Sequence, residues 1–209
     1  MAVEHRVVPG KVELRSTAQG QRIVGYGAVF GKLSQDLGGF VERVEPGAFN
    51  RTLNSDVRAL VNHDPNMVLG RSSSGTLRLS VDSIGLRYEI DPPNTTYGQD
   101  LMVSMNRGDI SNSSFGFLAL DEDWETTRNG YPLRSLREVK LIDVSVVTYP
   151  AYPDASSNVR SEALSGLAQR AGIPVEQLRT AADIRRTLAG PDVWERRKRL
   201  AHDLEALYL

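Results

Sequence analysis

The stretch that decides the fold is Lys140-Leu-Ile-Asp143-Val-Ser-Val-Val-Thr-Tyr149. Its apolar residues fall on both sides of a strand, which is typical of a central strand that is buried on both faces. The carboxylate of Asp143 stands in the middle of this strand, where burial is costly unless a partner compensates the charge. We interpret Asp143 either as half of a structural ion pair, with Arg137 as a candidate partner, or as a functional acid.

A second predicted strand contains Ser113-Ser114-Phe115-Gly116-Phe117. Strand alternation places the two phenylalanines on the core face and Ser114 with Gly116 on the other face. Because Gly116 has no side chain, a substrate backbone could approach the Ser114 hydroxyl closely, so we predict that Gly116 lines a substrate cleft. The alternative is a patch of small residues on a solvated face.

A third strand is predicted in Val57-Arg-Ala-Leu-Val-Asn62-His63-Asp64-Pro65. Alternation places His63 on the same face as Val57, Ala59 and Val61, and Pro65 is expected to end the element. An imidazole at this position is either a packing residue or a base.

These residues share one chemistry. A serine hydroxyl needs a neutral imidazole to remove its proton, and the imidazole needs an acid to orient it and to stabilise its charged form. His63, Ser114 and Asp143 all stand on strongly patterned strands, so we predict a serine hydrolase triad. Its order along the chain matches none of the three familiar hydrolase orders, which disfavours those folds.

Composition excludes several other classes of protein. The chain has 209 residues, 40% hydrophobic and 24% charged, with a formal net charge of −1. It has no cysteine and three histidines, so we expect no disulfide, no metal site and no cofactor. A near-neutral chain is not expected to bind nucleic acid, and neighbouring acids offset the basic run Arg196-Arg-Lys-Arg199. No apolar run is long enough for a membrane span or a signal peptide, so we expect a cytosolic protein.

The chain changes character near residue 158. The part before it carries seven candidate strands, a number that suits a barrel or a sandwich: Arg6–Leu14, Arg22–Phe30, Val57–Asn62, Leu77–Ser80, Leu86–Ile90, Ser113–Leu120 and Val139–Tyr149. Short helices are expected over 45–53 and 97–107. The part after it predicts three amphipathic helices, roughly 160–170, 175–188 and 192–207. We therefore predict a mainly β (α+β) domain over 1–158 and a helical tail over 159–209.

Several motifs of the first 155 residues occur together and in order: Val24-Gly-Tyr-Gly-Ala-Val-Phe30, Glu45-Pro-Gly-Ala-Phe49, Asn62-His63-Asp64 with Leu69-Gly70-Arg71, Gly75-Thr-Leu77 with Asp82 and Gly85-Leu86, Ser114-Phe-Gly-Phe117, and Asp143-Val-Ser-Val-Val-Thr-Tyr-Pro-Ala-Tyr-Pro-Asp154. With these motifs the chain resembles the prohead (procapsid) maturation proteases of tailed bacteriophages, which share the fold of the herpesvirus assemblin proteases. The last 50 residues lie outside the resemblance.

The resemblance implies an assemblin-like closed β-barrel of about seven strands with surrounding helices. It also implies a serine endopeptidase that removes scaffolding protein, or the scaffolding segment of the major capsid protein, inside the assembling procapsid in the bacterial cytoplasm. Such enzymes commonly cleave themselves and often form homodimers through a helix. On this basis the helical tail is a docking segment or propeptide lost by self-cleavage, or a permanent cap on the barrel.

The resemblance also assigns residues. The catalytic histidine falls on His63 and the nucleophile on Ser114, while Asp143 stands where the family usually has glutamate. Arg134 and Arg137 precede the Asp143 strand on a predicted loop, as does an arginine-bearing loop in assemblin-like enzymes, and are candidates for oxyanion or orienting groups. The shorter acid leaves an alternative, a protease-like barrel with a weakened triad that acts as a structural capsid-assembly factor.

Overall fold

The computed structural model describes residues 3–8, 12–18, 20–149 and 156–189. Within these ranges the ten strands are β1 (Glu4–Val8), β2 (Val12–Thr17), β3 (Gly20–Val29), β4 (Val41–Val44), β5 (Arg58–Val61), β6 (Asp64–Arg71), β7 (Leu77–Val81), β8 (Gly85–Ile90), β9 (Asn112–Thr126) and β10 (Pro132–Val147). The α-helices in the same ranges are α1 (Thr96–Arg107), α2 (Ser156–Ala171) and α3 (Ala181–Ala189). The prediction of a mainly β protein is confirmed.

The strands form two sheets. The larger has six strands in the order β1-β9-β10-β5-β6, with β4 also paired to β10, and the smaller has four in the order β2-β3-β8-β7. The smaller sheet is antiparallel throughout. In the larger sheet β5 runs parallel to β10 and antiparallel to β6. The parallel pairing places β5 directly beside the strand that carries Asp143.

The closed barrel that the resemblance implies is wrong, because both sheets are open. The larger sheet ends at β1 and β6, and the smaller ends at β2 and β7. A barrel requires its first and last strands to pair, and that pairing joins residues far apart in the chain, so a count of strands does not reveal it. The sandwich alternative that the strand count left open agrees with two separate sheets.

One hydrophobic core takes residues from both sheets. It includes Phe115 and Phe117 of β9, Val144 of β10 and Tyr88 of β8, all at most 1% exposed. The rings of Phe115 and Phe117 stack with centroids 4.9 Å apart. The predicted core face of this segment is therefore confirmed, and the face that carries Ser114 is the opposite one.

Helix α1 follows its sequence signals. The side chain of Thr95 caps the N-terminus by accepting a hydrogen bond from the Gly98 amide, and Gly108 ends the helix with a positive φ of 83°. Leu101 and Met105 point into the core. This helix is confirmed almost to the residue because its caps and its apolar face are local signals.

Two other local predictions are wrong. The segment 45–53 forms consecutive turns instead of a helix, with bonds such as the one from the Ala48 amide to the Glu45 carbonyl. The predicted strand Arg6–Leu14 is two strands, β1 and β2, that belong to different sheets. Strands β4 and β6 were not predicted, since β4 is only four residues long and β6 begins with the turn-forming residues Asp64, Pro65 and Asn66.

The chain divides into two compact units, and the strands β9 and β10 contribute residues to both. The first unit comprises Met1–Lys32, Val44–Glu122 and Leu136–Pro153, and the second comprises Leu33–Arg43, Asp123–Ser135 and Asp154–Leu209. The second unit has its own core, in which Trp124 and Phe40 pack with ring centroids 5.0 Å apart together with leucines of α2. The division predicted at residue 158 stays a prediction.

The tail helices belong to this second unit. The predicted helix 160–170 corresponds to α2, and the predicted helix 175–188 is a 3-10 turn at Val175–Gln177 followed by α3. Thr180 and Asp183 cap α3 reciprocally through their side chains. The third predicted helix, 192–207, and the basic run Arg196–Arg199 lie outside the described residues. No helix in the described part of the chain combines the length and the apolar composition needed to cross a membrane.

Candidate active site

Asp143 lies on the face of the central strand β10 opposite to Val144 and Val146, with 6% of its side chain exposed. Its neighbours Val144 and Val146 point into the core. Oxygen Oδ1 of Asp143 is 2.6 Å from Nδ1 of His63 and accepts a hydrogen bond from the hydroxyl of Ser145 at 2.8 Å. These two contacts meet the requirement that a buried carboxylate be hydrogen-bonded.

His63 stands in a two-residue hairpin turn between β5 and β6, because Val61 pairs with Asp64 across it. Both turn residues have left-handed backbones, with φ of 51° for Asn62 and 59° for His63, as a type I′ hairpin turn requires. Amide and carbonyl groups of the Asn62 side chain bind Thr148, which fixes the turn to the end of β10.

The turn changes the face on which the imidazole lies. Ala59 and Val61 point into the core, as predicted, but His63 contacts Asp143 and Ser145 on the opposite face. The prediction that His63 shares the face of the apolar stripe is wrong, because the left-handed turn interrupts the strand alternation. Pro65 does not end the element, since it lies inside β6.

Ser114 lies on β9 at the same site and is fully buried. Its Oγ is 2.7 Å from Nε2 of His63 and donates to the carbonyl of Arg6 on β1 at 2.9 Å. The neighbouring Ser113 points the other way, and its hydroxyl lies 2.9 Å from the phenol of Tyr88 inside the core. Burial raises the pKa of that phenol, so it stays a neutral hydrogen-bonding partner of Ser113.

Gly116 lies beside the carboxylate. A Cβ atom at this position would stand 2.3 Å from Oδ2 of Asp143 and 3.1 Å from Cδ2 of His5. A carbon atom that close to a carboxylate oxygen would overlap with it. The absence of a side chain at Gly116 therefore leaves room for the Asp143 carboxylate and for the imidazole of His5. That Gly116 also lines a substrate cleft stays a prediction.

Sequence reasoning missed two residues of this site. Ser145 donates to Asp143 and accepts a hydrogen bond from the His63 amide at 3.2 Å. Its position two residues after Asp143 on the same strand was a usable signal, since alternation gives both the same face. The ring of His5 on β1 lies with its centroid 4.0 Å from that of His63, and no local pattern in the sequence pointed to it.

The pKa of His5 is lowered from its ordinary value of 6.5, first by partial burial of its ring and then by the charge of His63, while Asp143 acts in the opposite direction. A histidine in this position is therefore neutral at neutral pH. The neutral form matters because two imidazoles in contact repel one another when both are charged.

The two candidate arginines lie within β10 and not on a loop. Arg134 is buried and forms an ion pair with Glu42 at 2.8 Å. Arg137 is exposed, six residues before Asp143 on the strand. Their predicted roles as oxyanion or orienting groups stay predictions.

In the described part of the chain, His5, His63 and Asp143 offer three ligand atoms within 4.8 Å of one another, the arrangement a metal ion would need. Both ring nitrogens of His63 are already engaged, one by Asp143 and one by Ser114. We therefore interpret this group as a hydrogen-bonded cluster and assign no metal ligands.

Comparison with known proteins identifies the family of the chain. The family model of the caudovirus prohead serine proteases matches residues 10–170. The chain belongs to this family. The predicted resemblance is confirmed, and the match covers β2 to β10 and most of α2 but begins after β1.

As a prohead serine protease, the chain is a hydrolase of bacteriophage capsid maturation. Among solved structures it is similar to the capsid assembly protease of bacteriophage T4, with a TM-score of 0.47 and 13% identity over 70% of this chain and 96% of that one. No curated protein matches the chain.

Proposed function

We propose that the chain is a serine endopeptidase in which Ser114 is the nucleophile, His63 the general base and Asp143 the orienting acid. The observation that carries the proposal is the continuous set of contacts from the Ser114 hydroxyl to Nε2 of His63 at 2.7 Å and from Nδ1 of His63 to Asp143 at 2.6 Å. These are the contacts that an activated serine requires.

Because an ionised carboxylate only accepts hydrogen bonds, we assign the Nδ1 proton of His63 to its contact with Asp143. With the Nδ1 proton directed to Asp143, the Nε2 lone pair of His63 faces the Ser114 hydroxyl. As Ser114 Oγ attacks the peptide carbonyl, its proton passes to Nε2, and the Asp143 carboxylate stabilises the imidazolium. His63 then protonates the leaving amine as the C–N bond breaks, and a water molecule deprotonated by His63 hydrolyses the acyl-enzyme.

The second contact of Ser114 belongs to a different protonation state. The hydroxyl has one hydrogen, so it cannot donate to the Arg6 carbonyl and to Nε2 of His63 at once. Donation to Arg6 at 2.9 Å fits the state in which Nε2 is protonated and donates to Ser114. Protonation of His63 thus moves the serine hydrogen to β1, away from the attack direction.

The 2.6 Å distance between Asp143 and His63 supports a working third member of the triad despite the shorter side chain. Two structural features allow the short side chain of Asp143 to contact His63. The parallel pairing of β5 with β10 places Arg58 opposite Asp143, and the turn directs His63 back over β10.

We further propose that the substrate is scaffolding protein or the scaffolding segment of the major capsid protein, cleaved inside the procapsid in the cytoplasm of the bacterial host. Family membership supports this setting. Self-cleavage somewhere after Pro153 and dimer formation are parts of the same proposal. For the tail, Leu164, Leu167 and Ile184 are buried in the core of the second unit, which supports a folded segment that packs within that unit.

One observation favours a second candidate function. Ser114 is 0% exposed, so a peptide reaches its hydroxyl only after a local movement. A chain in which that movement does not occur would act as a structural capsid-assembly factor with an unused triad.

The experiment that separates the two functions is co-expression with the capsid and scaffolding proteins of the genome that encodes this chain. Wild type is expected to yield shortened substrate fragments, visible by mass spectrometry, and Ser114→Ala is expected to reduce cleavage by about 10⁴-fold or more. Intact substrates in both samples, with proheads assembled normally, would favour the structural function. Identical full-length masses of wild type and Ser114→Ala would contradict self-cleavage.

A further inference from the structure

Strand β1 brings two groups to the triad although it lies before the matched family region. The carbonyl of Arg6 accepts from Ser114, and the ring of His5 contacts that of His63. β1 is an edge strand held by antiparallel pairing with β9, and in that register His5 stands directly opposite Gly116.

The absence of a side chain at Gly116 allows the His5 ring to contact the triad. The Cδ2 atom of His5 lies 3.1 Å from the place where a Cβ of residue 116 would stand. The imidazole therefore extends across the sheet over a position without a side chain. It meets the His63 ring with centroids 4.0 Å apart and ring planes inclined by 47°.

The surroundings of His5 favour a neutral ring, because partial burial and the charge of His63 lower its pKa, although the charge of Asp143 acts in the opposite direction. The His5 ring faces the His63 ring from the β5–β6 turn, the Asp143 carboxylate from β10 and the neighbouring Arg6 on its own strand. Although the residue as a whole is exposed, its ring contacts that of His63, and partial burial contributes to its lowered pKa. A neutral imidazole beside His63 presents an aromatic surface to the imidazolium that forms during catalysis, and aromatic rings attract such cations.

We propose that His5 is a positioning residue of the active site. Its ring packs against His63, holds that imidazole in the orientation that joins Ser114 to Asp143, and excludes water from the Asp143–His63 hydrogen bond. The inference rests on the proposed function, because it assigns a role relative to the proposed base. It concerns packing by the ring and not proton transfer by its nitrogens.

The test uses the full chain and a fluorophosphonate probe, since the natural substrate is not needed to measure the reactivity of Ser114. His5→Ala removes the ring, and His5→Phe keeps an aromatic ring without nitrogens. The matched control is Val8→Ala, which shortens a side chain of the same strand on the opposite face. Melting temperatures of all variants report any loss of β1 packing.

We expect His5→Ala to lower the second-order labelling rate by roughly 10-fold, because a displaced base loses its alignment with the nucleophile. His5→Phe and Val8→Ala are expected to stay within about 3-fold of wild type. The downfield NMR resonance of the Nδ1 proton of His63 is expected in wild type and His5→Phe and to be lost to water exchange in His5→Ala. This resonance reports the enclosed hydrogen bond directly.

Labelling of His5→Ala at the wild-type rate with the resonance retained would overturn the inference. Equal losses in His5→Ala and Val8→Ala would also overturn it, since the effect would then come from β1 stability. Equal losses of labelling rate in His5→Phe and His5→Ala would overturn the packing role, because they would show that the ring nitrogens are required. Failure of wild type itself to be labelled at Ser114 would contradict the proposed function instead, so the two failures are distinguishable.

Discussion

Ser145 supports both Asp143 and His63, the proposed acid and base of the site. Its hydroxyl donates to Asp143 and accepts from the His63 amide, so one side chain fixes the carboxylate and the turn. Because hydrogen bonds to charged groups contribute about 1.5–3 kcal/mol, we expect Ser145→Ala to lower the free energy of unfolding by about that amount. Urea denaturation measures the change, and a loss below about 0.5 kcal/mol would contradict the role.

Ser113 and Ser114 are adjacent but point to opposite faces. Ser113 bonds Tyr88 in the core, so Ser113→Ala is expected to cost about 1 kcal/mol of stability and to leave the fluorophosphonate labelling rate unchanged. Ser114→Ala is expected to abolish labelling and to cost at least a similar amount of stability, because its buried hydroxyl contacts His63 and the Arg6 carbonyl. A reversal of these two outcomes would move the nucleophile by one position.

Gly116 has no room for a methyl group. The 2.3 Å approach to Asp143 means that Gly116→Ala must displace the acid or the strand, and we expect a labelling rate at least about 10²-fold lower. Gly27→Ala is a suitable control, because the two atoms nearest to its Cβ would be side-chain methyl groups, 3.1 Å away on Val144 and 3.3 Å away on Leu86. Equal rates in the Gly116 variant and wild type would contradict the arrangement.

At the scale of single elements, the helix α1 illustrates what local sequence predicts well. Its cap contributes a defined amount of stability, so Thr95→Ala is expected to lower the free energy of unfolding by about 1 kcal/mol. Thr96→Ala is the matched control, since Thr96 is exposed in the first turn and does not cap the helix. Thermal or urea unfolding of the two variants measures the difference, and equal stabilities would contradict the assigned cap.

The β5–β6 hairpin illustrates what local sequence predicts poorly. Alternation predicted the strand and its apolar stripe, and the sequence also identified His63 as the candidate base. The face of the imidazole was not predictable, because it depends on two left-handed residues whose conformation the pairing of Val61 with Asp64 imposes. His5 was missed for a related reason: its contact with His63 exists only through the register of β1 on β9.

At the scale of the molecule, the two open sheets explain why the closed barrel was wrong while the candidate triad still came together. The three residues meet through β9, β10 and β5, which are neighbours in one sheet, so their convergence does not depend on closure. Closure depends on the strands at the sheet edges, and the sequence carries no local signal for whether those pair.

His5 also predicts a pH dependence of folding. Its pKa is lowered in the folded chain, chiefly by burial of its ring and next by His63, with Asp143 opposing and Arg6 assisting. The unfolded chain therefore binds the proton more readily, and the folded state loses stability as the pH falls below about 6.5. We expect His5→Phe to show a shallower loss of melting temperature than wild type between about pH 6.5 and 5. Parallel pH profiles would contradict the assignment.

The central claim is that Ser114 is activated by His63 and Asp143, and the site of fluorophosphonate modification tests it most directly. In this reaction Ser114 Oγ forms a bond to phosphorus, fluoride leaves, and His63 takes the hydroxyl proton. Peptide mapping by mass spectrometry is expected to locate a single adduct on Ser114, with no adduct in a His63→Ala variant. An adduct on Ser113 or Ser145, or a folded wild-type chain that never reacts, would contradict the account.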